Sequence, residues 1–372
     1  GCPPPARRMS CLASSSPLRF TVKATRPEAS IEPASRGSTC SPVISGCGGG
    51  SSSGDSGTDS DNTGNDADSQ TPELISVPED FSLLQDALAA AEPGTTIEIS
   101  SGTYYGQFEL VDGITLKGAG PAETTLEGFG TDNVLSLDNS TGSSLTTTIS
   151  GLTITGGTDG INVDKAKLVL TDCIIFGNSD DGVDAYQSTA NISGCAIHDN
   201  SGEGIDAMNT SLDIKNSSVW SNSAHGIFRG APLNVSNCIV AYNAQDGINS
   251  DDFSISYSTI VGNGWSGVET ISGKGGVLYS IITGNDDGIR DPGGQIAPAN
   301  VLFWDNNCNW SMEYTCYIGS TYYELIGSAV ADPLFTGTYD FNLQAGSPAL
   351  TMTGDGGEIG AYGNAGSPPT LE

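Results

Sequence analysis

From about residue 154 to residue 290, apolar positions follow two superimposed periods. Locally they alternate with polar ones, and the alternation itself returns every 20 to 22 residues. Glycine followed by Ile or Val stands at Gly160, Gly182, Gly204, Gly226, Gly247, Gly267 and Gly288, at spacings of 22, 22, 22, 21, 20 and 21. An aliphatic column runs through Ile154, Ile175, Ile197, Val219, Val240, Ile260 and Ile282. Leu170, Ile192, Ile214, Val235, Ile255 and Val277 make a second. Two residues before the first column stands a small side chain: Cys173, Cys195, Ser217, Cys238, Ser258 and Ser280. Asparagine forms its own column at Asn178, Asn200, Asn222, Asn243, Asn263 and Asn285.

A period of two excludes helices here and makes each repeat three short strands separated by turns. A unit of this size buries no core alone, but rungs stacked ~4.8 Å apart share one. Identical residues then form ladders, and stacked asparagine amides hydrogen-bond from rung to rung. The expected class is all-β: a single parallel β-helix, a solenoid of about 21–22 residues per rung over residues 72–363. An amphipathic helix precedes it, with Leu84, Ala87, Leu88 and Ala91 on one face and Pro93-Gly94 as its stop. Such a helix covers the open first rung, whose unpaired edge otherwise invites aggregation.

The repeat, with "GTYYGQFEL…ITLKGAGPAETTLEG" before it and "DPLFTGTYDFNLQAGSPAL…GGEIGAYG" after it, resembles the pectate lyase and polygalacturonase superfamily. That resemblance implies a right-handed helix and a polysaccharide as partner.

Other stretches read differently. Residues 1–46 are rich in proline, serine and arginine, without periodicity, and read as a disordered or aberrant leader. Residues 47–71 are Gly/Ser/Asp-rich and read as a flexible tether. Ile44-Ser45-Gly46-Cys47 resembles a bacterial lipoprotein cleavage box, which makes Cys47 the lipidation candidate and a surface anchor the expectation. Residues 364–372 read as a tail, and Leu371-Glu372 as a cloning scar.

Formal net charge is −31, and six of the 13 basic residues precede Cys47. So acidic a body repels nucleic-acid phosphates and anionic lipid, and it suits an exported, monomeric protein. No run is long and apolar enough for a membrane helix. Among nine cysteines, those of the repeat read as small buried ladder residues, whereas Cys308 and Cys316 flank an irregular stretch and are the disulfide candidates.

Chemistry concentrates around the repeat glycines. Before each stands Asp159, Asp181, Glu203, His225, Asp246, Ser266 or Asp287; two residues after stands Asn162, Asp184, Asp206, Phe228, Asn249, Glu269 or Arg290. Both positions are expected to face outward, and acids on neighbouring rungs raise one another's pKa. Against polygalacturonases, "GTDGINV" carries the first motif at Asp159 and "NSDDGVDA" the second at Asp180 and Asp181. Glu203 stands where that family has histidine, and Phe228 where it has arginine. The resemblance thus implies Asp159, Asp180 and Asp181 as catalytic acids; its substrate-binding base and cations are not matched, and Glu203, His225 and Arg229 are the candidate substrate contacts here. Asp184 and Asp206 are candidate calcium ligands, calcium being optional. Phe176, His198 and Trp220 fall in register as an aromatic stripe, from which His198 and Trp220 are candidates for stacking on sugar rings. Two functions stay open: a polysaccharide-cleaving hydrolase or lyase, and a non-catalytic β-helix surface protein whose acids are turn residues or calcium sites.

Overall fold

The computed structural model describes residues 73–139, 142–270, 272–312, 315–317, 327–353, 357–362 and 371, with the backbone alone at 312 and 315–317. The leader, the whole tether with Cys47, and all of the tail but Leu371 lie outside these residues. The rest is the expected solenoid. Three sheets of 11 strands each run its length, and every pairing is parallel except the last in the third sheet, Cys308–Met312 with Thr315–Tyr317. One rung shows the plan: Lys167–Thr171 lies in the first sheet, Ile174–Phe176 in the second and Val183–Tyr186 in the third. The next rung pairs in register, Leu170 on Ile192, Ile175 on Ile197 and Val183 on Ile205.

Alternation decides which side chains enter. Leu168, Leu170, Ile175, Val183 and Ala185 are buried in a core that continues from Ile75 to Trp310. The helix Leu84–Ala90 buries Leu84, Ala87 and Leu88 against the first rungs, as its apolar face requires. The asparagine ladder forms at the corner between second and third sheets. The Asn178 Nδ2 donates to Asn200 Oδ1 at 2.9 Å, and the relay continues through Asn222, Asn243, Asn263 and Asn285 to Asn306. Cys173, Cys195 and Cys238 are buried free thiols. Burial pushes Cys238 up to about 12.

The repeat glycines have a steric cause. None of Gly160, Gly182 or Gly204 is among the positive-φ residues. A Cβ on Gly182 would instead lie 2.6 Å from the Gly204 carbonyl oxygen and 2.7 Å from Ile197. Corners are turned elsewhere, by columns in the left-handed region such as Asp172, Gly194 and Asn216, or Lys165, Gln187, Asn209 and Arg229.

Two expectations change and a third is met in part. The second sheet is covered on its outer face too, where Ala196, Trp220, Ile239, Ala241 and Val261 pack with Phe341, Ala361 and Leu371. Leu371 is thus a packed side chain. Pre-glycine acids are not simply outward, since Asp159 and Asp181 are 8% exposed and Asp246 is 0% exposed. Cys308 is disulfide-bonded; the side chain of Cys316, its expected partner, lies outside the described residues.

Candidate carboxylate site on the third sheet

The pre-glycine column acts along the solenoid axis. Several of its side chains reach to the backbone of the following rung: Asp159 Oδ1 accepts from the Asp181 amide at 3.1 Å and Asp181 Oδ1 from the Glu203 amide at 2.7 Å, and Asn133 Oδ1, one rung earlier, accepts from the Asp159 amide at 3.2 Å. Asp246 Oδ1 does the same for Ser266 at 2.8 Å. Recurrence of acids before glycine therefore has a structural cause, namely satisfying an amide that the strand ladder leaves open at the corner.

Three residues onward, the strand carries Asp184 on one rung and Asp206 on the next, directly paired. One oxygen each from Asp181, Asp184 and Asp206 lies within 4.8 Å of the others. The expected catalytic acids and the expected metal ligands are thus one cluster. Asp159 borders it, and Asp180 lies exposed at its rim.

Burial drives its electrostatics. It pushes Asp159 up to about 6, with the charges of Asp184, Asp180 and Asp206 adding to it and the bond from the Asp181 amide opposing it. Asp181 rises further, to about 9, through burial first and then through a hydrogen bond shared with the Glu203 carboxyl. Asp184 and Asp206 are also raised by burial, against stabilisation of their anions by Asn162 and Arg229. Asn162 Nδ2 donates to Asp184 Oδ2 at 3.1 Å. Near neutral pH the cluster therefore holds a proton on Asp181.

The expected substrate contacts divide. Glu203 is half-buried and serves as the proton-sharing partner of Asp181. Arg229 is no free cation: its Nε and Nη2 clamp the two Asp206 oxygens, and its guanidinium lies 4.4 Å from the Phe228 ring centroid. Lys165 is likewise taken, donating to Asp164 at 2.7 Å. His225 is buried; its Nδ1 lies 3.2 Å from both the amide nitrogen and Oδ2 of Asp246, and its ring stacks on Phe228. Burial opposes ionisation of Asp246, but His225, Asn249 and the Ser266 amide outweigh it and hold its carboxyl below the usual range.

The aromatic stripe belongs elsewhere. His198 is sandwiched between Phe176 at 5.3 Å and Trp220 at 4.2 Å on the second sheet, around the asparagine corner from the carboxylates. Trp220 is only 7% exposed, beneath the segment that packs on that sheet. It is not an open platform for a sugar. The aromatic residue that sequence reasoning missed is Trp265, 53% exposed and edge-on to His225 at 5.9 Å. Backbone bonds from Gly202 to Asp180, Ala224 to Gly202, Gln245 to Ala224 and Trp265 to Gln245 put it in the column of Asp180. The repeat alignment contains that signal, two residues before each glycine.

The right-handed β-helix region family model matches residues 138–231 and 160–297. Among solved structures, pectate lyase Pel9A is 14% identical, covering 78% of this chain and 96% of its own, with a TM-score of 0.47. The A-module of the Azotobacter vinelandii mannuronan C-5 epimerase AlgE4 is 15% identical, covering 67% and 91%, with a TM-score of 0.40. An alginate lyase from Paenibacillus sp. str. FPU-7 is 17% identical over 70% and 94%, with a TM-score of 0.41. No curated protein matches the chain. The chain is a right-handed parallel β-helix, as its repeat led one to expect. Among the described residues no helix is long and apolar enough to cross a membrane.

Proposed function

We propose that this chain is an extracellular polysaccharide-acting protein that cleaves glycosidic bonds at the carboxylates of Asp181 and Asp184. The observation that carries the reading is the carboxyl pair itself, one oxygen of Asp181 within 4.8 Å of one from Asp184, in surroundings whose burial raises Asp181. Paired carboxyls with separated pKa values are what acid-assisted glycoside cleavage needs. Asp181 gives its proton to the departing glycosidic oxygen. Asp184, half-buried and oriented by Asn162, attacks the anomeric carbon as the carboxylate. So short a separation leaves no room for an intervening water and favours a glycosyl-enzyme with net retention. Water then breaks that ester, giving its proton to Asp181. Asp206 is held by Arg229, and Glu203 keeps the proton on Asp181 between turnovers.

The same three aspartates fit a calcium ion, which takes several hard carboxylate oxygens. Calcium there would supply positive charge to neutralise the cluster and to bridge an anionic sugar. Proton and cation compete for one set of oxygens, so EDTA separates the two modes.

A second reading has its own support. Because Asp159, Asp181 and Asp246 each hold a neighbouring amide, they also fit a non-catalytic surface β-helix. Release of reducing sugar from a panel of neutral and uronate glycans, with and without EDTA, decides between them. Cleavage that Asp184→Asn abolishes at unchanged melting temperature supports the enzyme. No product from any glycan, with binding alone, leaves the surface protein.

A further inference from the structure

A cleft of about 500 Å³ opens where the helix Leu84–Ala90 lies against the first rungs, away from the carboxylate cluster. Its place in the repeat is informative. The Asp159 amide bonds to Asn133 and the Thr158 amide to the Asp132 carbonyl, so Asp132 and Asn133 head the columns of Asp180 and Asp181. Ser136 pairs with Asn162, which pairs with Asp184. The cleft therefore presents, two rungs earlier, the columns of Asp180, Asp181 and Asp184, two of which supply the acid cluster. At ~4.8 Å per rung the two lie ~10 Å apart along one face, on the order of two linked pyranose rings.

Its chemistry differs from the cluster's. Gln85, Gln107, Asn133 and Ser136 supply amide and hydroxyl groups, Glu109 and Asp132 two acids, and no Lys or Arg lines it. Gln85 donates to the Gln107 carbonyl at 3.2 Å and Gln107 to the Thr131 hydroxyl at 3.3 Å, which leaves both amide oxygens as acceptors. Asn133 uses its oxygen on the Asp159 amide, so its Nδ2 is a donor. Leu88 of the helix adds an apolar wall. Amides and an apolar surface recognise sugar hydroxyls and ring faces, whereas two acids without a cation repel uronates.

We infer that this cleft is a binding subsite for uncharged pyranose residues, holding the non-reacting end of a neutral glycan whose next residues reach Asp181 and Asp184. The inference rests on the proposed glycan reading of that cluster and narrows it to neutral substrates. Its test is calorimetric titration of the full chain with hexasaccharides of cellulose, xylan and mannan, and with hexagalacturonate as the anionic probe. One neutral hexasaccharide is expected to bind, and the Gln85→Ala/Gln107→Ala pair, both outside the core, to weaken it at least tenfold at unchanged melting temperature. In Asp184→Asn the same affinity is expected to survive. Loss of affinity in the glutamine pair, with no cleavage by the wild type, supports the subsite and sinks the hydrolase. Unchanged neutral affinity in that pair, no neutral binding at all, or weakening confined to hexagalacturonate overturns the inference, whatever the wild type cleaves.

Discussion

Asp181 has a structural part as well as its place in the proposed chemistry. One of its oxygens holds the Glu203 amide at 2.7 Å, and burial with the shared Glu203 proton lifts its carboxyl to about 9. Two predictions follow at this scale. Asp181→Asn keeps an acceptor oxygen for the amide, so it is expected to fold while losing about 10²–10⁴-fold in sugar release, checked by reducing-sugar assay. The second concerns pH. The folded pKa of Asp181, about 9, stands above the 3.8 of an ordinary aspartate, so the folded form binds more protons across that window. Stability is then greatest near the acid end and falls as pH rises from about 4 through 9, with Asp159 contributing up to about 6. Melting temperatures at fixed ionic strength are expected to show this fall, and Asp181→Asn to flatten it. Calcium, if bound, raises the melting temperature more at pH 8 than at pH 5. A wild-type melting temperature that climbs between pH 5 and 8 without divalent cation contradicts the protonated cluster.

At the scale of the element, the corner between the second and third sheets carries most of the specification. Asn222 receives the Asn200 amide nitrogen at 3.0 Å, donates to Asn243 at 3.0 Å and is 1% exposed. Asn222→Ala removes the oxygen that accepts from both the backbone and side-chain amides of Asn200, while Asn243 Oδ1 keeps the Asn222 backbone amide, so the expected cost is about 1–3 kcal/mol, read by urea unfolding. Gly204 lies against it: an added Cβ would stand 2.5 Å from Val219 and 2.6 Å from the Gly226 carbonyl. Gly204→Ala is accordingly expected to lower stability by about 1–3 kcal/mol through overpacking, measured by urea unfolding. If Gly204→Ala is neutral, close packing is not why the glycine column exists.

For the whole molecule, stability is a sum over neighbouring rungs, closed at one end by the helix Leu84–Ala90. Leu88, 3% exposed on the inner face of that helix, is the sensitive point. Leu88→Asp is expected to open the first rung and turn a monodisperse sample into aggregates by light scattering. Residues 48–70 carry almost no apolar side chains. A chain starting at residue 72 is therefore expected to melt within about 1 °C of the longer one, and a drop of several degrees overturns the tether reading.

What the sequence determined by itself is the solenoid. Strand alternation and identical residues at fixed intervals are local, so Ile175, Asn200 and Gly204 announce sheet, ladder and corner without a tertiary model. The columns that carry the acids were legible for the same reason. Their roles were not, because a role depends on what faces the side chain from the neighbouring rung or from a distant segment. Only the tertiary structure turned Asp159 and Asp181 along the axis onto backbone amides, merged Asp181 with Asp184 and Asp206, and gave Arg229 to Asp206. It also covered Trp220 with Phe341 and Leu371, residues far along the chain, and left Trp265 exposed beside His225. Periodicity reports which positions stack on one another; burial and hydrogen bonding across the stack decide what each position does.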